Sequence, residues 1–252
     1  LSLNADAIRT KDFDWNISLN LAHNENEVTR LSNDVFRMDK ILLGDVFIRG
    51  GSSSGTHVLE EGRPIAQFYG LVCNGIDENG RYILVDKDGD GEISDPADYD
   101  YIGSAQPKLT YGITNSFRYK NFDLSFFLRG TIGNDILNAT RMAYAQSGFL
   151  PGTNALDDPL TYTLSETPRF SNYYLEKGSF MRLDNLTLGY KIKALNGIRV
   201  YFTAQNLFVI TKYKGLDPEV PMDSGDGLTP GVEPREFYPK ARTFSVGLNL
   251  NF

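Results

Sequence analysis

The chain ends in Thr243-Phe-Ser-Val-Gly-Leu-Asn-Leu-Asn-Phe252, where apolar side chains alternate with small or polar residues. Because successive side chains of a β-strand point to opposite faces, the apolar residues of this segment share one face. These residues are Phe244, Val246, Leu248, Leu250 and Phe252. A tilted strand of about 9–11 residues is also long enough to cross a bilayer. The segment therefore predicts the closing strand of an outer-membrane β-barrel, with lipid against its apolar face.

The composition is that of a folded protein without a transmembrane helix. Of the 252 residues, 41% are hydrophobic and 12% are aromatic, which argues against disorder. The formal charge of −7 excludes an extended basic face and so disfavours nucleic acid as a partner. The sequence contains no apolar run long enough for a membrane-spanning helix.

The same alternation recurs along the chain. It is clear in residues 12–22, 109–119, 122–132 and 198–206, shorter in residues 1–7 and less regular in residues 180–192. Together with the terminal segment, the pattern predicts an all-β chain of about seven antiparallel strands.

The connections between these segments alternate between short and long. The short links are residues 8–11, 120–121 and 193–197, and the long links are residues 23–108, 133–179 and 208–240. Outer-membrane barrels have short periplasmic turns and long extracellular loops. The parity therefore predicts that the three long links are extracellular and that Phe252 lies at the periplasmic rim.

Seven strands have two open edges, and unpaired backbone edges cannot face lipid. We therefore expect the neighbouring strands to come from an N-terminal part outside this chain or from another copy. The first residue, Leu1, already belongs to an alternating segment, which also favours a fragment of a longer protein. Within the first long link, Asn79-Gly80 between two apolar runs predicts a β-hairpin.

The run Asp86-Lys-Asp-Gly-Asp-Gly-Glu-Ile93 follows the first half of a calcium-binding loop. Asp86, Asp88 and Asp90 would supply carboxylate oxygens, and Glu92 a backbone carbonyl. The position of the closing acid is occupied by Ala97, so Asp98 would have to close a loop one residue longer. Two interpretations remain open: a Ca²⁺ site that rigidifies an extracellular loop, or an acidic turn without metal.

The aromatic residues also have two interpretations. Packing within loops and interfacial girdles is favoured for any single residue. Those in the long links could instead stack on a substrate, and the candidates are Phe68, Tyr69, Tyr162, Tyr173 and Tyr174. The chain has one cysteine and two histidines. Neither histidine has a carboxylate or a nucleophile at a catalytic spacing in the sequence, and the cysteine has no base near it. We therefore predict no catalytic residues and no enzyme.

Several motifs resemble the SusC/RagA class of TonB-dependent outer-membrane transporters of Bacteroidetes. They are Asp86–Ile93 with Tyr101-Ile-Gly-Ser-Ala-Gln-Pro-Lys-Leu-Thr-Tyr-Gly112, Tyr119-Lys-Asn-Phe-Asp-Leu-Ser-Phe-Phe-Leu-Arg-Gly130, Gly133-Asn-Asp-Ile136, Leu175-Glu-Lys-Gly-Ser-Phe-Met-Arg-Leu-Asp-Asn-Leu-Thr-Leu-Gly-Tyr190, Val200-Tyr-Phe-Thr-Ala-Gln-Asn-Leu207, Thr211-Lys-Tyr-Lys-Gly-Leu-Asp-Pro-Glu219 and Tyr238-Pro-Lys-Ala-Arg-Thr-Phe244. The resemblance covers essentially the whole chain and corresponds to the C-terminal part of such a protein.

The resemblance implies that these are the last strands of a roughly 22-stranded transmembrane β-barrel whose plug is not in this chain. It further implies a SusD-like surface lipoprotein as partner, TonB contact through the N-terminal part, and nutrient uptake of glycans or peptides across the outer membrane of a Gram-negative cell. The alternative is a soluble calcium-binding β-sandwich, such as an adhesin module, which would also alternate and carry an Asp-rich loop.

Overall fold

A computed structural model describes residues 1–51, 55–193, 198–220, 227–235 and 238–250. These residues form strands and a few short helices, which confirms the predicted all-β class. None of the helices in these ranges is long and apolar enough to cross a membrane. In chain order the strands are β1 (Ser2–Arg9), β2 (Phe13–Ala22), β3 (Lys40–Leu43), β4 (His57–Glu60), β5 (Gln67–Leu71), β6 (Cys73–Ile76), β7 (Tyr82–Leu84), β8 (Tyr99–Ser104), β9 (Leu109–Tyr119), β10 (Phe122–Ile132), β11 (Asp135–Leu137), β12 (Leu175–Lys177), β13 (Phe180–Ile192), β14 (Ile198–Thr211) and β15 (Thr243–Asn249).

One antiparallel sheet contains the seven strands that the alternating segments predict. Its order is β1-β2-β9-β10-β13-β14-β15, so each strand pairs with its nearest neighbour in sequence once the long links are set aside. This is the up-and-down order that a barrel wall requires, in which two short links are hairpin turns at residues 10–12 and 120–121. The third short link includes residues 194–197, which lie outside the described ranges.

The register places whole rows of like side chains across the sheet. One row consists of Ile8, Trp15, Phe117, Leu124, Leu188, Phe202 and Val246, one residue from each strand. The next row, on the opposite face, consists of Asp6, Asn16, Ser116, Ser125, Thr187, Thr203 and Ser245. The apolar row is not covered by the rest of the described chain, since Leu188 is 45% exposed and Val246 is 76% exposed. We call these the outer and inner faces.

A bulge explains why residues 180–192 alternate imperfectly. In the pairing of β13 with β10, Leu183 lies opposite Leu128 and Asn185 lies opposite the adjacent Phe127, so Asp184 is an extra residue in β13. Leu183 and Leu186 consequently both lie opposite outer-face residues of β10, Leu128 and Phe126.

The predicted strand 198–206 is too short, because β14 continues to Thr211. Its alternation breaks at Asn206, which adopts a left-handed backbone (φ 51°) within the bulge and so interrupts the sequence pattern. The terminal strand runs from Thr243 to Asn249 in the structure, and the predicted position of Phe252 lies outside the described residues.

The three long links, which we call excursions 1, 2 and 3 in chain order, pack together at one end of the sheet. Excursion 1 contains a four-stranded sheet, β3-β4-β5-β8, and the β6–β7 hairpin that Asn79-Gly80 predicts. Excursion 2 contains the β11–β12 pair and two short helices, α1 (Ala139–Tyr144) and α2 (Pro159–Thr163), which begin after the capping side chains of Asn138 and Asp158. The shared core includes Phe68, Leu71, Leu137, Met142, Phe170 and Tyr174.

Excursion 3 joins this unit through backbone contacts. The Leu137 N–H donates to the Gly231 carbonyl over 2.8 Å, and the Glu233 N–H donates to the Leu137 carbonyl over 3.0 Å. His57 Nε2 lies 2.9 Å from the Pro230 carbonyl oxygen, so excursions 1 and 3 also meet. The long links are thus one packed body rather than separate loops.

The outer face predicts the effect of a charge at Leu248. In the full-length protein, Leu248→Arg should destabilise the membrane-inserted fold by about 2–4 kcal/mol if the side chain lies near the bilayer midplane. Ser245→Arg on the inner face of the same strand is the matched control and should cost much less. Folded yield in lipid vesicles and urea unfolding measure the difference. Equal losses for both variants would contradict the assignment of the two faces.

Candidate functional site

A cavity of about 790 Å³ lies on the inner face where the sheet meets the excursions. Residues of five neighbouring strands, β1, β2, β9, β10 and β13, form its wall, and residues 218–220 of excursion 3 form part of its rim. The polar side chains that line it include Asn20, Asn24, Gln106, Thr110, Arg129, Thr131, Asn134 and Glu219, and the aromatic residues at inner-face positions are Phe127 and Phe180.

Two arginines oppose each other on the wall of this site. Arg129 of β10 and Arg182 of β13 are direct cross-strand partners. Like charges at such positions repel and destabilise a sheet unless other groups neutralise them. Arg182 is only 1% exposed, which makes an unpaired charge there still more costly.

Excursion 3 supplies carboxylates to both arginines. Arg182 Nη2 donates to Asp217 Oδ1 over 2.5 Å, and Arg182 Nη1 donates to the Asn206 side-chain oxygen. Arg129 holds Glu219 through two hydrogen bonds of 2.5 and 3.0 Å, a bidentate arrangement that favours Arg over Lys. The bulged Asp184 accepts a further hydrogen bond from Arg129 Nε over 2.9 Å.

Glu219 is the carboxylate that joins these groups. Besides Arg129, it lies 2.6 Å from Lys240 Nζ and 3.4 Å from Arg182 Nε. Burial alone would raise the pKa of Glu219, but the hydrogen bonds and charges of Arg129 and Lys240 outweigh it and hold the pKa below the ordinary value of 4.5. The stabilisation is therefore present above pH 4.5 and is lost as the pH falls through the lowered pKa.

The Asp-rich loop of excursion 1 brings part of the predicted ligand set together. Carboxylate oxygens of Asp86, Asp88 and Asp98 all lie within 4.8 Å of one another. Asp98 therefore joins the loop from one residue beyond the usual closing position. Asp90 and Glu92 are not in this group: the Asp90 carboxylate accepts a hydrogen bond of 2.8 Å from the Glu92 N–H.

Backbone N–H groups hold this loop in shape. Asp86 accepts from Gly89 and Gly91, both of which have a left-handed backbone that favours glycine. Asp98 is buried and accepts from the N–H groups of Ser94 and Lys87, which lower its pKa and keep it ionised. The loop thus presents negatively charged oxygens at fixed positions, the donor chemistry that Ca²⁺ prefers.

The five aromatic candidates do not converge on one surface. Phe68 and Tyr174 have no exposed surface and belong to the core of the excursions. Tyr69 packs against Tyr101, with ring centroids 5.2 Å apart, and Tyr173 packs edge-on against Tyr174. These contacts fit the packing interpretation.

Tyr162 of α2 differs from the other four candidates because it is 73% exposed. Its side chain is available to a ligand or partner, and its role in substrate contact stays a prediction.

The seven-stranded antiparallel sheet and the sequence that forms it are similar to part of the TonB-dependent receptors. No family model matches the chain. Over its whole length it is 36% identical to the TonB-dependent receptor SusC of Bacteroides thetaiotaomicron and 32% identical to the TonB-dependent receptor P3 of Formosa agariphila. It spans 26% and 28% of the length of these two proteins, about a quarter in each case.

Solved structures give the same result for the fold. The structure of the RagAB peptide transporter matches 98% of this chain with a TM-score of 0.75 and 25% sequence identity, over 28% of the transporter chain. The predicted resemblance is therefore confirmed: the chain is related over its length to TonB-dependent receptors of the SusC/RagA class. These relatives are receptors and a transporter rather than enzymes, in agreement with the prediction for this chain.

The buried arginine predicts a large effect on stability. Arg182→Met leaves Asp217 buried without its cation and should destabilise the full-length protein by about 3–5 kcal/mol. The control, Arg118→Met, removes an arginine that is 69% exposed and pairs with Asp14, and should cost about 1 kcal/mol or less. Chemical denaturation in detergent compares the two variants. A similar loss for both would refute a special role for the buried pair.

Proposed function

We propose that this chain forms part of the barrel wall of an outer-membrane TonB-dependent importer, within its SusC-like subunit. The observation that carries the proposal is the apolar row across the outer face of all seven strands, which only an apolar surrounding can cover. The similarity to TonB-dependent receptors supports it. Because the chain spans about a quarter of these relatives, the activity of the whole protein is inferred from them.

The same proposal implies further parts of the transporter complex. Other strands and a plug would complete the barrel, and TonB would act through the N-terminal part. The three excursions, residues 23–108, 133–179 and 208–240, would face the cell exterior and meet a SusD-like surface lipoprotein. Their common core supports this role, because a packed body offers a partner a fixed surface.

The cargo is proposed as an oligosaccharide or a peptide. One relative is the receptor SusC and another is a peptide transporter, so the relatives leave both classes open. The cavity lining includes amide side chains, such as Asn20 and Gln106, and the aromatic rings of Phe127 and Phe180. Both sugars and peptides bind to surfaces of this kind.

A soluble β-sandwich fits the structure less well. In a sandwich, the apolar face of one sheet packs against a second sheet. Here the outer face of the seven-stranded sheet is exposed, and the excursions pack at its end. The row from Ile8 to Val246 would then lie in water, which a soluble module avoids.

The proposal predicts TonB-dependent uptake. In the source bacterium, an oligosaccharide or peptide mixture that supports growth of the wild type is supplied as the nutrient. Deletion of the full-length gene and inactivation of TonB should each abolish growth on that mixture. Gentle detergent extraction of the tagged full-length protein should also recover a surface lipoprotein. Uptake that persists without TonB, or a tagged protein found in the soluble fraction, would sink the proposal.

We further propose that Asp86, Asp88 and Asp98 bind Ca²⁺. The convergence of three carboxylates on backbone-fixed positions supports this, because Ca²⁺ accepts irregular sets of oxygen ligands. Bound to this loop, the cation would neutralise repelling charges and stiffen excursion 1. Arg169 of excursion 2 binds Asp95 over 2.5 Å, so a stiffer loop would also fix the contact between the two excursions.

The calcium proposal predicts a selective loss of binding. In the full-length protein, the double change Asp86→Asn and Asp88→Asn should weaken Ca²⁺ binding by about tenfold or more, since removal of even indirect partners of a metal costs about 10- to 100-fold. Asp77→Asn, which alters another turn carboxylate held by backbone N–H groups, is the control. Calorimetric titration and anomalous scattering report the ion. A loop that stays free of metal at millimolar Ca²⁺ would refute the site.

A further inference from the structure

The cavity on the inner face has an unusual distribution of charge. Among its described lining residues, the charged side chains are Arg129 and Glu219, and these two are bound to each other. The other polar groups are neutral amides and hydroxyls, accompanied by aromatic rings. The Arg129–Glu219 pair is therefore the one place in the described lining where a charged ligand group would find a counter-charge.

The charges around this pair balance only while Glu219 is present. Three cations, Arg129, Arg182 and Lys240, face three carboxylates, Asp184, Asp217 and Glu219. If Glu219 withdraws, three cations face two carboxylates. A single carboxylate from elsewhere would restore neutrality, and the planar guanidinium of Arg129 matches its two oxygens.

The two carboxylates of excursion 3 are held very differently. The side chains of Arg182 and Asp217 are 2% and 5% exposed, so this pair is a permanent anchor of the excursion. Glu219 and Arg129 are 27% and 26% exposed and lie at the cavity surface. Of these two carboxylates, Glu219 is therefore the one that a ligand in the cavity can reach, whereas Asp217 is buried against Arg182.

We propose that Arg129 is a carboxylate-binding position of this cavity and that Glu219 occupies it as an internal competitor until cargo displaces it. The inference rests on the proposed import function and narrows it to cargo that carries a carboxylate. That group can come from a peptide, as its C-terminus, or from a uronic acid of an oligosaccharide. Both have the same chemistry towards Arg129.

The test uses the full-length protein with its co-purifying partner and two matched pairs of probes. The first pair is a defined pool of oligopeptides without Asp or Glu and with free C-termini, and the same pool with amidated C-termini. The second pair is oligogalacturonides and the same oligosaccharides after reduction of their carboxylates to alcohols. Native mass spectrometry measures binding of each pool to the wild type and to Glu219→Gln, which keeps the shape of the side chain and removes its charge.

We expect Glu219→Gln to bind the carboxylate member of one pair about tenfold more tightly than the wild type, because the competing ion pair is lost. Its neutral counterpart should bind unchanged, and the pair that responds identifies the source of the carboxylate. The gain should disappear when Arg129→Gln is added. Asp123→Asn is the matched control, because it removes a carboxylate that pairs with Arg199 on the same sheet outside the cavity lining.

The inference is overturned if Glu219→Gln gains no carboxylate binding, if the neutral probes gain equally, or if the gain survives without Arg129. Its failure is distinguishable from failure of the proposed function. A protein that still imports cargo in a TonB-dependent manner, but shows no carboxylate preference in Glu219→Gln, retains the import function and loses only this site.

Discussion

The outer face of the seven-stranded sheet imposes the constraint on which the rest of the structure depends. One apolar side chain from each strand stands in a continuous row, and the cross-strand pairing fixes every one of them on the same side. A row of this extent is unfavourable in water. Polar and charged groups must therefore lie on the inner face, and the excursions must leave the sheet at its end rather than fold over its outside.

The inner face accepts charge, but only where the charge is compensated. Arg129 and Arg182 oppose each other across β10 and β13. Within the sheet, Asp184 supplies a carboxylate to Arg129, and one carboxylate cannot neutralise two arginines. Excursion 3 supplies the missing negative charge, because its Asp217 binds Arg182 and its Glu219 binds Arg129. The same ion pairs that stabilise the wall thus hold the excursion beside the cavity, which couples the lining of a binding site to the stability of the strands.

Much of the fold could be predicted from the sequence because a strand with one apolar and one polar face has a period of two. This signal located all seven wall strands. It failed at the bulge of Asp184 and Asn206, where an extra residue shifts the period and β14 continues beyond its predicted end. The shared core of the excursions was not predicted, since Leu71 and Phe170 meet only in the folded chain and neither lies in a periodic segment.

The candidate sites differ in the same way. The Asp-rich loop is local, so spacing alone placed Asp86 and Asp88 together and allowed for Asp98. The ion network joins strand residues to residues of excursion 3, and no sequence spacing connects Arg182 with Asp217, which are 35 positions apart. Charged residues at inner-face positions of predicted strands, such as Arg129, were a usable signal that a counter-charge had to arrive from elsewhere in the chain.

The central claim is that the outer face lies against lipid and the inner face against water. Spin labels at Leu248→Cys and Ser245→Cys, in an otherwise cysteine-free full-length protein in vesicles, test it directly by electron paramagnetic resonance. We predict that the label at position 248 is accessible to oxygen and protected from a water-soluble nickel complex, with the opposite order at position 245. A label at position 248 that is freely accessible to the nickel complex would contradict the account.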